Sequence, residues 1–304
     1  MRALVTGASG FVGQRLTNLL LENGWEVCCL LRRHLSPARK GLSVLMGDLL
    51  QHSSLTLDES VTGPLDAVFH CAALLPDPAI SDSSLFIQAN TIATLKLIEA
   101  CEKRGIGRFV YLSSISVIGD PRQIPIPENH VLAPQSAYAL SKLGGEQACS
   151  IARSHGIKAI AFRLSSPYGS GMNQATVLPL FVRLAREGKP IRWHGSGSRS
   201  QDFIHVDDVA AACLLAAEMG ASGTYCLGSG QATTMRSLAE RVTSLIPGSH
   251  AEPSNLPDPQ EGRSWQLDMT AAKHDLGFAP GISIDQGLTQ YIGSPNSAMT
   301  SLWT

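Results

Sequence analysis

The sequence predicts an α/β protein: a doubly wound parallel sheet with helices on both faces, followed by a smaller C-terminal α/β lobe. Two observations carry that prediction. Short apolar runs alternate with helix-periodic segments from the first residue to about Pro167. A glycine triplet also sits directly between the first run and the first helical pattern, in LVTGASGFVG. Beyond Pro167 the alternation loosens, which divides the chain into 1–166 and 167–304. One strand and one helix of the second part remain free to return to the first.

Taken in order, RALV reads as a buried strand. Phe11, Val12, Leu16, Leu19 and Leu20 then make one helical face that stops at Gly24. EVCCLL, SVLMGD and DAVFHCAA are the next strands, and a long helix runs from about Ser83 to Arg104, ended by RGIG. RFVYLSS is a strand, Ala137 to His155 a helix and KAIAFRLSS a strand. Helical patterns near Val177–Glu187, Val206–Met219 and Met235–Leu245 follow, separated by the strands DFI and TYCL. Asp207 and Asp208, after FIH, read as a helix N-terminal cap. IPGSHAEPSNLPDPQEG reads as a surface loop, and the last residues as a loose tail in which Trp303 is free to dock.

Composition narrows the function classes. The chain has 304 residues, 44% hydrophobic and 16% charged, enough to bury a large core. A net charge of −1, with no basic block beyond LLRRH, argues against nucleic acid as a partner. No run approaches the roughly 20 apolar residues of a membrane span, and the N-terminus reads as strand and turn, not as a signal peptide. The expectation is a soluble, cytoplasmic protein. The seven cysteines form no C-x-x-C and lie mostly in apolar runs, as buried thiols do in a reducing compartment. His70, His194 and His205 have no metal-ligand spacing, so no metal is expected.

Gly7, Gly10 and Gly13 supply a tight turn, close backbone approach and a free helix N-terminus, the requirements for holding a pyrophosphate. QSAYALSKLGGE places Tyr138 and Lys142 on one helical face. A phenol ordinarily titrates near pH 10, and an adjacent ammonium together with an oxidised nicotinamide brings it towards neutral pH as an acid/base. The second strand ends CCLLRRH, with Leu31 where an acid would bind the ribose hydroxyls of NAD. Arg32 and Arg33 suit a 2′-phosphate, so NADP is favoured over NAD.

T-G-x-x-G-x-x-G together with Tyr-x-x-x-Lys resembles the short-chain dehydrogenase/reductase superfamily, specifically its extended branch of NAD(P)-dependent nucleotide-sugar epimerases, dehydratases and reductases. GDLL, HCAA, NTIATLKLIEAC, YLSSISVIGD, FRLSSPYG and SRSQDFIHVDDVA add matches in the same order, over nearly the whole chain. The resemblance implies a Rossmann-type sheet and a catalytic set of Ser114, Tyr138 and Lys142, Ser114 holding the substrate oxygen. It implies a cofactor held by Gly7, Gly10, Phe11, Val12, Gly13, Asp48, Leu49, Ala72, Ala73, Asn90, Tyr138, Lys142 and Pro167. Substrate contacts fall to Ser114, Ser166, Val177, Trp193, Arg199 and Arg263. Gln201 stands where the family has a phosphate-binding arginine, and Arg199 would share its strand face and take over. The segment beside Ser114 lacks the Asp-Glu pair of the 4,6-dehydratases, which disfavours dehydration. A nucleotide-sugar 4-epimerase is the leading expectation, with an NADPH-dependent reductase of keto sugars or small carbonyl compounds second. A cofactor-binding regulator is the reading outside enzymology, and a homodimer formed through two helices is the family's usual assembly.

Overall fold

The computed structural model describes residues 1–33, 35, 39–51, 57, 59–293 and 302. Trp303 lies outside them. The chain begins with β1 (Arg2–Thr6), α1 (Phe11–Glu22), β2 (Glu26–Leu31), β3 (Leu42–Met46), α2 (Glu59–Thr62) and β4 (Ala67–His70). Next come α3 (Ser84–Phe86), a π-helical segment (Ile87–Ile92), α4 (Ala93–Lys103), β5 (Arg108–Ser114), a 3₁₀ turn (Ile115–Ile118), α5 (Ala137–Ser154) and β6 (Lys158–Leu164). The remainder is β7 (Ser166–Tyr168), α6 (Val177–Arg186), β8 (Ile191–Trp193), β9 (Ser200–His205), α7 (Val206–Met219), β10 (Gly223–Leu227), β11 (Ala232–Thr234), α8 (Met235–Leu245), β12 (Ala251–Pro253), α9 (Thr270–Leu276) and α10 (Ile284–Gly293).

Seven strands form one parallel sheet in the order β10-β6-β5-β4-β1-β2-β3. The chain winds outward from β1 to β3, then crosses back so that β4 pairs the other edge of β1. That reversal opens a crevice beyond the carboxyl ends of β1 and β4, the usual ligand position in such sheets. Successive strand residues point to opposite faces. Val5, Cys29, Phe69 and Val110 therefore pack with α1 and α7, while Leu4, Cys28, Val68 and Tyr111 pack with α4 and α5. A second core, built on Tyr168, Phe181, Phe203, Leu238 and Leu288, belongs to the smaller lobe around the β11-β9-β7 sheet.

Three sequence expectations need correction. The helix from Ser83 to Arg104 is interrupted by the π segment, which swings Asn90 inward. The α7 cap is His205, whose Nδ1 accepts from the Asp207 amide at 3.3 Å; Asp208 instead accepts from the amides of Gly281 and Ile282. The Pro/Gly/Ser-rich stretch is not all loop, because Ala251–Pro253 pairs with β8. All seven cysteines are free, and only Cys71 is not fully buried. Among the described residues no helix is long and apolar enough to cross a membrane.

Candidate active site

The crevice is a cleft of about 1370 Å³. Its wall at the β1 end is the glycine turn. Gly7 has φ +71°, and a Cβ there would lie 2.6 Å from the Ala72 nitrogen; one on Gly13 would lie 2.2 Å from the Gly7 carbonyl oxygen. These contacts force glycine at both positions. No side chain caps α1, whose N-cap is Gly10, so its first-turn amides face the cleft as anion donors. A cradle that any side chain would fill fits a pyrophosphate.

Arg32, Arg33, Asp48 and Leu49 line the cleft beyond β2 and β3. Both arginines are exposed, and among the described residues neither pairs with a carboxylate. Ala72, Ala73 and Pro167 line it nearer the centre.

Ser114, Tyr138 and Lys142 meet on the cleft floor. The capping serine of α5, Ser136, accepts from the Ala139 amide at 3.1 Å and so starts the helix immediately before Tyr138. Ser114 ends β5. Its Oγ accepts from the Ser116 amide at 3.2 Å and from Ser116 Oγ at 2.9 Å. With both lone pairs engaged, its own proton is left to donate outward. Ser113 also lines the cleft, but its hydroxyl donates to Glu146 Oε1 at 2.6 Å.

Burial pushes the Tyr138 phenol up, and its contact with Ser114 offsets part of that shift. Burial draws Lys142 down to about 7; Cys149, Cys71 and Glu146 pull the other way. The protein alone therefore keeps the phenol protonated at neutral pH.

Sequence reasoning missed the layer beneath. Thr94 gives its one hydroxyl proton to the Asn90 carbonyl at 2.7 Å, so it accepts from His70 Nε2 at 2.9 Å. His70 Nδ1 then accepts from Thr6 Oγ1 at 2.7 Å, and Thr6 accepts from the Ala72 amide at 3.2 Å. The imidazole is neutral, its pKa brought to about 3 by burial and by Lys142. Glu146 forms a buried ion pair with Arg163 at 2.9 Å, tying α5 to β6. Tyr138, Lys142 and Glu146 recur every fourth residue, a signal that would have found Glu146.

Asn90 does not line the cleft. Its Oδ1 accepts from the Leu74 amide at 2.7 Å, and its Nδ2 donates to the Leu74 carbonyl and Ser141 Oγ, both at 3.0 Å. It thus fixes the segment after Ala73. Ser166 and Val177 do line the cleft, joined by Gln201, Phe203 and Asn173. Trp193, Arg199 and Arg263 do not. Trp193 packs in the small-lobe core beneath Arg236. Arg199 pairs with Asp258 at 2.9 Å because β9 begins only at Ser200, so Arg199 and Gln201 do not share a strand face. Arg263 pairs with Asp120. Among the described residues no cluster of three His, Cys, Asp or Glu has metal-binding geometry.

The sequence model of the NAD dependent epimerase/dehydratase family matches residues 3–228. A dTDP-glucose 4,6-dehydratase of Streptomyces niveus is 28% identical, covering 96% of this chain and 92% of that protein. A UDP-glucose 4-epimerase of Mycolicibacterium smegmatis is 29% identical, covering 96% and 97%. The crystal structure of a UDP-glucose 4-epimerase of Thermotoga maritima with UDP-glucose superposes with a TM-score of 0.84 at 25% identity, covering 96% and 97%.

Proposed function

The chain belongs to the NAD-dependent epimerase/dehydratase family, and from that premise we propose that it works at C4 of a nucleotide sugar, epimerising it through a 4-keto sugar. The observation that carries this reading is the convergence of Ser114, Tyr138 and Lys142 on the floor of the cleft opened by the glycine turn. Gly7, Gly10, Phe11, Val12 and Gly13 would hold the cofactor pyrophosphate, with Asp48 and the two arginines towards the adenosine. When bound, the oxidised nicotinamide supplies the hydride acceptor and a positive charge beside the phenol. Tyr138 would take the proton of the C4 hydroxyl as hydride leaves C4. It would return that proton to the ketone oxygen after the keto sugar has turned its other face to the reduced cofactor, so that hydride comes back on the opposite side of C4. Ser114, already committed as a donor, hydrogen-bonds that oxygen throughout, and the Lys142 charge favours the phenolate.

Dehydration needs a further acid and base at neighbouring carbons. Among the described residues the only carboxylate lining the cleft is Asp48, beside Arg32 and Arg33 in the lining, which supports epimerisation over 4,6-dehydration.

A second reading, net NADPH-driven reduction of a keto sugar or small carbonyl compound, draws on two observations. Arg32 and Arg33 line a cleft with no acid at the end of β2. The substrate side, from Leu74 to Leu85 and from Ser165 to Phe203, contributes no charged side chain to the lining.

The experiment offers UDP-glucose and UDP-galactose with NAD, and keto sugars with NADPH, to the wild type and to Tyr138→Phe. Interconversion without net reduced cofactor supports the epimerase; consumption of NADPH supports the reductase. Binding of cofactor with neither reaction supports a regulator. Tyr138→Phe should bind cofactor normally and lose turnover by about 10²-fold or more, and unchanged turnover would remove the phenol from the mechanism. Arg32→Glu should weaken NADP by about tenfold or more relative to NAD; equal losses would discard the 2′-phosphate contact.

A further inference from the structure

Two features around the reacting groups are unexplained by that chemistry. The helix that carries Tyr138 and Lys142 contains Gly144 and Gly145 in its interior, where each costs about 1 kcal/mol relative to alanine. A buried tyrosine hydroxyl, that of Tyr111, lies beside the Thr94 side chain without a hydrogen bond of regular geometry.

The two features meet at one place. A Cβ on Gly145 would lie 2.1 Å from the Tyr111 hydroxyl oxygen, so glycine is what lets this ring reach the helix. Gly144 makes the corresponding room for Thr91, with a Cβ 2.5 Å from Thr91 Oγ1. The ring of Tyr111, admitted this closely, has Lys142 Nζ over its face, 4.3 Å from the centroid. Among the described residues the ammonium has no ion-pair partner. His70 packs against the Tyr111 ring in a tilted contact, with centroids 5.6 Å apart and an interplanar angle of 33°. A ring face presents negative charge to a cation and is most effective where water is excluded.

We propose that Tyr111 is a positioning residue for the reaction, its ring face and not its hydroxyl holding the Lys142 ammonium charged and aimed at the cleft. This rests on the reading of Lys142 as the cation beside Tyr138. The other titratable groups facing Lys142 are Tyr138, Glu146 and Cys149 on its own helix and His70 and Cys71 at the end of β4. His70 is neutral and the thiols are protonated at neutral pH, which leaves Glu146 as the one anion among them. Glu146 is already neutralised by Arg163.

The test reads Lys142 directly in the free protein, by NMR titration of ¹³Cε-labelled lysine, with Lys142→Met identifying the resonance. Tyr111→Phe should leave the Lys142 titration and the turnover unchanged, because it keeps the ring face and deletes only the hydroxyl. Tyr111→Leu and the volume-matched Tyr111→Met should lower the proton affinity of Lys142 by about threefold or more, half a pH unit. The alkaline limb of the turnover profile should move down with it. Loss of activity in Tyr111→Phe, or an unmoved Lys142 titration in whichever of the other two variants folds, overturns the proposal. Failure of the catalytic reading itself shows separately, as retained turnover in Tyr138→Phe.

Discussion

Burying an ammonium opposes folding, and at Lys142 it draws the pKa from 10.5 to about 7. In the window between those values the unfolded chain binds a proton that the folded chain does not, so stability rises with pH there. Below about pH 7 the full penalty is present, on the order of a few kcal/mol. Lys142→Met should therefore be more stable than the wild type by about 1–3 kcal/mol near pH 6, with the advantage shrinking towards pH 10. Urea melts at the two pH values measure this, and an advantage that is missing at low pH or grows with pH would refute it. The same residue shows what a sequence reveals at this scale. The helix repeat puts Tyr138 and Lys142 together, as their spacing predicts, and Ser114, which the family resemblance singles out, lies with them in the cleft lining at the end of β5. The places of Arg199 and Arg263 were not legible, since Asp258 and Asp120 approach from distant segments and no local spacing encodes those ion pairs.

Helices were legible where apolar periodicity is unbroken: α7 and α8 begin and end where the pattern does. The three-residue strands β8 and β12 are too short to show alternation and form only because they find each other. The π segment was invisible for another reason. One extra residue in a turn changes no composition, yet it aims Asn90 at the backbone of Leu74 and at Ser141. That asparagine couples the π segment, α5 and the segment following Ala73. Asn90→Ala would remove both hydrogen bonds to the half-buried backbone of Leu74 and the one to Ser141, at a cost of about 1–3 kcal/mol. It should also weaken cofactor binding, because Ala72 and Ala73 line the cleft just ahead of Leu74. Chemical denaturation and cofactor titration of the variant test both effects; normal values in both would reduce Asn90 to an incidental contact.

At the scale of the molecule, the break in rhythm at Pro167 does not mark where the first structural unit ends, because one strand and one helix of the second part return to it. β10 returns to pair β6, with Tyr225 beside Phe162 and Cys226 beside Arg163. α7 brings Val209, Ala210, Cys213, Leu214 and Ala217 back into the core that α1 forms with the sheet. The sequence left one strand and one helix free to return, but no spacing says which, because strand order is set by which apolar faces remain uncovered once the earlier elements have paired. Without residues 167–304 the outer edge of β6 would be unpaired, and Leu16 and Leu20 on α1 would lose their partners on α7. Removing several fully buried side chains at roughly 1.5–3 kcal/mol each exceeds the stability of an ordinary domain. A chain ended at residue 166 should therefore not fold, although it carries the glycine turn, Ser114, Tyr138 and Lys142 complete. The full chain should unfold in one transition seen alike by far-ultraviolet circular dichroism and by the fluorescence of Trp25 in the sheet core and Trp193 in the small lobe. A cooperative melt of the 1–166 fragment, or two separated transitions in the full chain, would show that the two parts are independent after all.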